Sequence, residues 1–290
     1  MNKWLDTQEY PFEPRYFELP MGRLHYVDEG KGDHAVVMVH GNPSWSFGYR
    51  HLIKGLSSRY RCIAVDHIGF GLSDKPKDWS YLPEKHGENL EALLNDLNLS
   101  KVTMVVQDWG GPIGLSYALK YPEKVKSLVI MNTWMWSAKG DPHFEKFSGF
   151  AGGPIGRFLI KRFNFFVRVV MKQAYGDKSK LTKHIHSHYL NALKIPDDRK
   201  GCWTFPKQII ASSEWLESLW EQRSKLADKP TLILWGKKDI AFRDKELTIW
   251  KELFTDREVR EYENVGHYVQ EELAGEMCPI VEGLLSRNAE

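Results

Sequence analysis

Gln107-Asp108-Trp109-Gly110-Gly111 is the stretch where residue type and spacing point most directly to chemistry. An apolar run, Val102 to Val106, stops at a carboxylate, and paired glycines then open a helical pattern. This order describes a strand, a sharp turn and a helix, an elbow that lifts a nucleophile above a sheet. Such an elbow strains the backbone and needs a small residue two positions on, which Gly110 supplies. The nucleophile position holds Asp108 where many elbows hold serine. A carboxylate there suits attack on an alkyl carbon and formation of an ester intermediate. Taken alone, Asp108 could equally N-cap the following helix. Val106 also departs from the elbow pattern, which often has glycine there.

An ester intermediate needs a base to activate water, and the base needs an orienting carboxylate. His267, in Gly266-His267-Tyr268, follows the last strand-like segment and is the best base. Asp239 follows the run Thr231–Trp235 and so sits at a strand's carboxyl end. The other place for the acid is after Leu128–Met131, but Asn132 stands there and no carboxylate follows until Asp141. Asp239 is therefore the acid by elimination, and Asp244 reads as a helix N-terminal charge. His40-Gly41-Asn42-Pro43 follows the run Ala35–Val39. The backbone N–H groups of Asn42 and Trp109 can form an oxyanion hole. Their side chains, a carboxamide and an indole, are donors that do not titrate. Converging on one point, they would stabilise a departing anion such as a halide. Separately, Asn42 also suits a turn and Trp109 a core.

The elements that must position these residues can be read from periodicity. Ala35–Val39, Cys62–Val65, Val102–Val106, Leu128–Met131 and Thr231–Trp235 predict strands buried on both faces, with Glu258–Tyr262 as a later one. Leu90, Leu93, Leu94 and Leu97 have helical spacing, as do Ile113, Tyr117 and Tyr121 before Pro122. Alternating strands and helices predict an α/β fold with a mainly parallel sheet, and ligands then bind at the strands' carboxyl ends. The alternation lapses after Met131 and resumes at Lys229-Pro230. We expect residues 1–132 and 229–290 to form the core and residues 133–228 an inserted helical cap.

With 290 residues, a net charge of +2 and 13% aromatics, the chain has an ordinary globular composition. Near-neutral charge argues against a nucleic-acid partner. Cys62, Cys202 and Cys278 are widely spaced and suggest neither a disulfide framework nor a zinc site. The first fourteen residues lack a signal-peptide pattern, and no apolar run approaches a membrane span. The expectation is a cytoplasmic protein, monomeric or homo-oligomeric, with no membrane partner.

Together these motifs identify a resemblance. His40-Gly41-Asn42-Pro43, the run Asp66 to Pro76, Gln107 to Gly111, Trp235 to Asp239 and Gly266-His267-Tyr268 resemble a haloalkane dehalogenase of the α/β-hydrolase superfamily over nearly the whole chain. The late acid and the Asn–Trp pair resemble the subfamily usually numbered III. Subfamily II places a Glu after the Leu128–Met131 strand. The resemblance implies an α/β-hydrolase fold and hydrolysis of haloalkanes to a primary alcohol, halide and proton, with water as co-substrate. In that scheme Asp108 attacks carbon, Asn42 and Trp109 hold the halide, and His267 with Asp239 drives water onto the ester. No cofactor or metal is implied. Trp203-Thr204-Phe205-Pro206 resembles the cap segment lining the halide pocket, which makes Phe205 and Pro206 pocket residues.

An epoxide hydrolase would share the aspartate nucleophile and place two cap tyrosines over the epoxide oxygen. Tyr175 and Tyr189 lie in the cap, but Asn42 and Gln107 fit the dehalogenases better. A non-catalytic ligand-binding relative normally shows a broken triad, and this one is complete. A luciferase-like monooxygenase shares the scaffold too. His184 and His188 would share a helix face and could hold zinc, but without an acidic or Cys partner nearby they read, with His186, as solvated or capping histidines. The basic, apolar stretch Arg157 to Lys172 reads as a cap helix covering the pocket or a subunit contact rather than a membrane-surface helix. Gly69 and Gly71 lack the Lys-Ser or Lys-Thr of a phosphate loop.

Overall fold

The computed structural model describes residues 4–287. Its centre is an eight-stranded sheet. The strands are β1 (Arg15–Leu19), β2 (Gly22–Glu29), β3 (His34–Val39), β4 (Arg61–Val65), β5 (Lys101–Gln107), β6 (Val125–Met131), β7 (Thr231–Gly236) and β8 (Arg257–Tyr262). Their order across the sheet is β1-β2-β4-β3-β5-β6-β7-β8. From β4 to β8 every neighbouring pair is parallel, and β2 runs antiparallel to both β1 and β4. The predicted runs all appear, each extended by a residue or more at one or both ends. The hairpin β1–β2 was not predicted. Its strands are rich in charge, half-exposed and alternate poorly, so they lack the apolar run that betrays a buried parallel strand.

The central strands are apolar because both faces are covered. Val36 to Val39, Val102 to Val106 and Leu128 to Met131 are all buried. The covering helices are α1 (Arg50–Leu56), α2 (Pro83–Asp96) and α3 (Gly110–Lys120), then α10 (Asp244–Leu253), α11 (Val269–Leu273) and α12 (Met277–Arg287) once the sheet resumes. Leu90, Leu93 and Leu94 of α2 turn inward as the spacing predicts.

Between β6 and β7 the chain forms helices but no strand. They are α4 (Pro142–Ala151), α5 (Pro154–Phe163), α6 (Met171–Ala174), α7 (Lys183–Ala192), α8 (Lys200–Ala211) and α9 (Ser213–Glu221). The stretch Arg157 to Lys172 is not one helix. Asn164 ends α5 in the left-handed conformation, and a π-helical turn, Phe166–Val170, leads into α6. Despite this long insertion β6 and β7 pair directly, with Leu128 opposite Thr231.

Candidate active site

The site lies where β3, β5 and β7 end. Asp108 follows β5 with a φ of 51°, in the left-handed region a non-glycine residue rarely adopts. The elbow is tight: a Cβ on Gly110 would fall 1.9 Å from the Val39 carbonyl oxygen. Gly41 is constrained from the other side, since a Cβ there would sit 2.2 Å from Asp108 Oδ1. Asp108 does not cap α3, whose N-cap is Trp109 with no side-chain hydrogen bond. Its carboxylate instead accepts from the backbone N–H of Asn42 at 2.7 Å and meets that of Trp109. Burial raises the Asp108 pKa, against the pull of nearby His267 and of these two N–H groups.

His267 Nε2 lies 3.8 Å from Asp108 Oδ2, and its Nδ1 lies 2.9 Å from Asp239 Oδ2. The carboxylate accepts, so the ring proton sits on Nδ1. Burial disfavours the imidazolium, but the charges of Asp239 and then Asp108 outweigh it and raise the His267 pKa above its ordinary value. Two residues that carry no role in the sequence reading hold this pair. Asn132, at the vacant acid position after β6, donates to Asp239 Oδ2 at 2.8 Å and accepts from Gly236 N–H at 2.7 Å. Gln107 donates to the His267 carbonyl at 3.1 Å, which fixes its amide orientation, and its Nε2 is 2.8 Å from His267 Nε2. That amide therefore donates to the unprotonated ring nitrogen. In the sequence, Gln107 counted only as a feature of the family resemblance and Asn132 only as the residue standing where an acid was absent. Asp244 lies away from this cluster, exposed and paired with Lys237.

Asp108, His267, Asn42 and Trp109 all border one cavity of about 100 Å³. Its remaining wall is largely apolar, with Phe144, Phe147, Phe166 and Val170 from the inserted segment and Phe242 beside His267. The indole N–H of Trp109 makes no hydrogen bond within the described residues, so it is free to serve a ligand. Trp109 is clamped by Trp134 and by stacking on Phe205, with centroids 4.6 and 5.2 Å away.

The position of Asn42 depends on Pro206. A proline inside α8 has no N–H for the carbonyl four residues back, that of Cys202. The freed Cys202 carbonyl accepts from Asn42 Nδ2 at 3.2 Å, leaving the second amide proton available. Pro206 also borders the cavity. Phe205 does not. Consecutive helix residues point about 100° apart, and Phe205 is fully buried behind Trp109, stacked between it and Phe70. The pocket role expected of Phe205 is thus corrected to support of Trp109.

Tyr175 and Tyr189 do not border the cavity. Tyr189 donates to Glu271, which also pairs with buried Arg50 at 2.6 Å. His184 and His188 do share a face, with ring centroids 5.0 Å apart. His188 is held between the Asp6 N–H and the His184 carbonyl, His184 pairs with Asp6, and His186 bonds the Val167 carbonyl. Among the described residues no group of His, Cys, Asp and Glu side chains is placed to hold a metal.

An aspartate elbow, a histidine and a late acid on this sheet define a class. A family model described as the alpha/beta hydrolase fold matches residues 34–273, and the chain belongs to that family. Within it, the similarity is to haloalkane dehalogenases among others. Haloalkane dehalogenase 2 of Mycobacterium tuberculosis (strain ATCC 25618 / H37Rv) is 38% identical over 271 residues, 92% of this chain and 93% of that one. A cis-3-alkyl-4-alkyloxetan-2-one decarboxylase of Shewanella oneidensis is 35% identical over 291 residues, 97% of this chain and 91% of that one. The solved haloalkane dehalogenase DatA from Agrobacterium tumefaciens C58 shares the fold, with a TM-score of 0.85 at 24% identity over 98% of this chain and 99% of that one.

Proposed function

We propose that this protein hydrolyses carbon–halogen bonds of small haloalkanes, giving a primary alcohol, a halide and a proton. The observation that carries the reading is the pairing of a largely buried aspartate with an indole N–H that has no hydrogen bond within the described residues, both bordering an apolar cavity. In the first step Asp108 displaces the halide from carbon and becomes an alkyl ester. Trp109 Nε1–H and the free proton of Asn42 Nδ2 hold the departing halide. In the second step His267 Nε2 takes a proton from water as the oxygen attacks the ester carbonyl. The backbone N–H groups of Asn42 and Trp109, already aimed at the Asp108 carboxylate, stabilise the oxyanion. Collapse expels the alkoxide, which takes the proton from His267 as the alcohol leaves. Asp108 then loses the remaining proton. Asp239, held by Asn132, keeps the imidazole in the required tautomer. In this reading residues 133–228 form the cap and residues 1–132 and 229–290 the core.

The decarboxylase relatives favour one second reading, a four-membered lactone as substrate. The cavity argues for the smaller molecule, since pockets for drug-sized ligands span about 300–1,000 Å³. The epoxide reading has no tyrosine pair facing the cavity. Assays of halide release from bromo- and chloroalkanes, beside an epoxide and a cis-3,4-dialkyl oxetan-2-one, test the proposal. Halide release is the expected result. Turnover of the epoxide alone, or release of carbon dioxide and alkene from the lactone alone, would reassign the substrate.

A further inference from the structure

The stretch that lines the cavity on one side carries a second surface on the other. Seven large apolar side chains among the described residues are well exposed, and four of them, Phe150, Ile155, Phe158 and Phe163, lie on the α4–α5 hairpin. Three are more than half exposed: Ile155 at 68%, Phe158 at 58% and Phe163 at 54%. The reason is geometric. Helix α5 buries Gly156 and Ile160, and a Cβ on Gly156 would lie 2.3 Å from the Phe150 carbonyl oxygen. With that narrow face packed down, Ile155, Phe158 and Phe163 are left toward solvent.

Beyond Glu145 in the first turn of α4, charge along this stretch is basic. From Lys146 to Lys172 the sequence holds six Lys and Arg residues and no Asp or Glu. Beside α5 runs a groove of about 810 Å³ bordered by Arg157, Lys161, Arg162, Lys200 and Lys207, with no carboxylate among its lining residues. Arg157 lies over the Trp203 ring at 4.8 Å. Asp197, which pairs with Lys161 of the groove, is also bridged by Lys77. A clustered apolar patch is a surface for a partner. Exposed Phe and Ile beside Arg and Lys match the boundary of an anionic bilayer, where acyl chains and phosphates lie side by side. A two-fold pairing of this face with a second copy would set one predominantly basic rim against another.

We propose that the α4–α5 face docks on an anionic lipid bilayer, with Phe150, Ile155, Phe158 and Phe163 entering the headgroup boundary and the basic groove meeting lipid phosphates. From the sequence, no spanning segment was expected, and Arg157 to Lys172 read as a pocket cover or subunit contact rather than a membrane-surface helix. The exposed α4–α5 face revises the second of these readings, while no described helix is long and apolar enough to cross a membrane. Lying on the surface requires no such helix. This inference does not depend on the reaction proposed above.

Co-sedimentation of the full chain with phosphatidylcholine vesicles, with and without phosphatidylglycerol, tests it. The protein should pellet with the phosphatidylglycerol vesicles, stay in solution with phosphatidylcholine alone, and be released by high salt. Combined Ile155→Ser and Phe158→Ser should abolish binding. Combined Arg157→Gln and Arg162→Gln should weaken it by roughly tenfold or more. All four positions are on the surface, and circular dichroism checks the fold. No pelleting above a vesicle-free blank, equal pelleting with both lipids, or binding that both variants leave unchanged would overturn the proposal. So would size-exclusion profiles in which these substitutions split an oligomer, because the occupant would then be a second copy.

Discussion

Asp239 and Asp244 are five positions apart and have opposite surroundings. Asp239 touches His267 and Asn132, whereas Asp244 is exposed and meets Lys237. Asp239→Asn should slow ester hydrolysis on the order of a thousandfold, because an amide there no longer fixes the imidazole tautomer. Asp244→Asn should shift stability by less than ~0.5 kcal/mol and leave turnover intact. Pre-steady-state halide and alcohol release in both variants gives the ranking. Gln107 makes a pH prediction. Its amide bonds His267 Nε2 only while that nitrogen is unprotonated, and so it favours the neutral base. The water step needs the neutral form and is lost as pH falls through the raised His267 pKa. Gln107→Met should move that acid limb to still higher pH, with the rate recovering at alkaline pH. A general packing defect would depress the rate at every pH. The cluster of Asp108, His267 and Asp239 was legible in the sequence because each follows a strand in a fixed chain order. The clamps by Asn132 and Gln107 were not, because a hydrogen bond between amides on separate strands leaves no local pattern.

At the scale of elements, α8 shows what periodicity misses. A proline inside a helix normally signals a break, yet α8 runs from Lys200 to Ala211 and uses the missing hydrogen bond to hold Asn42. Pro206→Ala would return an N–H to the Cys202 carbonyl, which would then be shared with Asn42. Helix stability should hold or rise, by up to about 3 kcal/mol on propensity alone, while bromide affinity falls. Thermal unfolding and quenching of Trp fluorescence by bromide read the two effects separately. A parallel loss of both would show that Pro206 acts only in packing. The β1–β2 hairpin marks the converse limit. The strands buried on both faces announced themselves as apolar runs, whereas this edge hairpin owes its form to pairing with β4, which its own residues do not encode.

At the scale of the whole molecule, the cavity is a seam between two layers. The turns and loops after the strands supply Asp108, Asn42 and His267, while Phe144, Phe147, Phe166 and Val170 come from the helices inserted between β6 and β7. On the proposed reaction, chemistry and size selection fall to different parts of the chain. Val170→Trp should fill part of the apolar wall without touching the reacting groups. We expect kcat/KM for 1-bromohexane to fall by at least about tenfold relative to bromoethane, the scale of losing one or two methylene contacts. Equal losses for both substrates would indicate damage to the site itself.

The central claim is that Asp108 attacks carbon and that His267 serves only the water step. A carboxylate with an ordinary pKa near ~4 is ionised at neutral pH and needs no base, and burial raises that of Asp108 only against opposing N–H groups and His267. His267→Gln enzyme incubated with 1-bromobutane should release at most one equivalent of bromide and then stop. Intact mass should rise by one butyl group, and peptide mapping should place the adduct on Asp108. Continuous turnover by this variant, or bound substrate with no bromide released and no adduct on Asp108, would contradict the account.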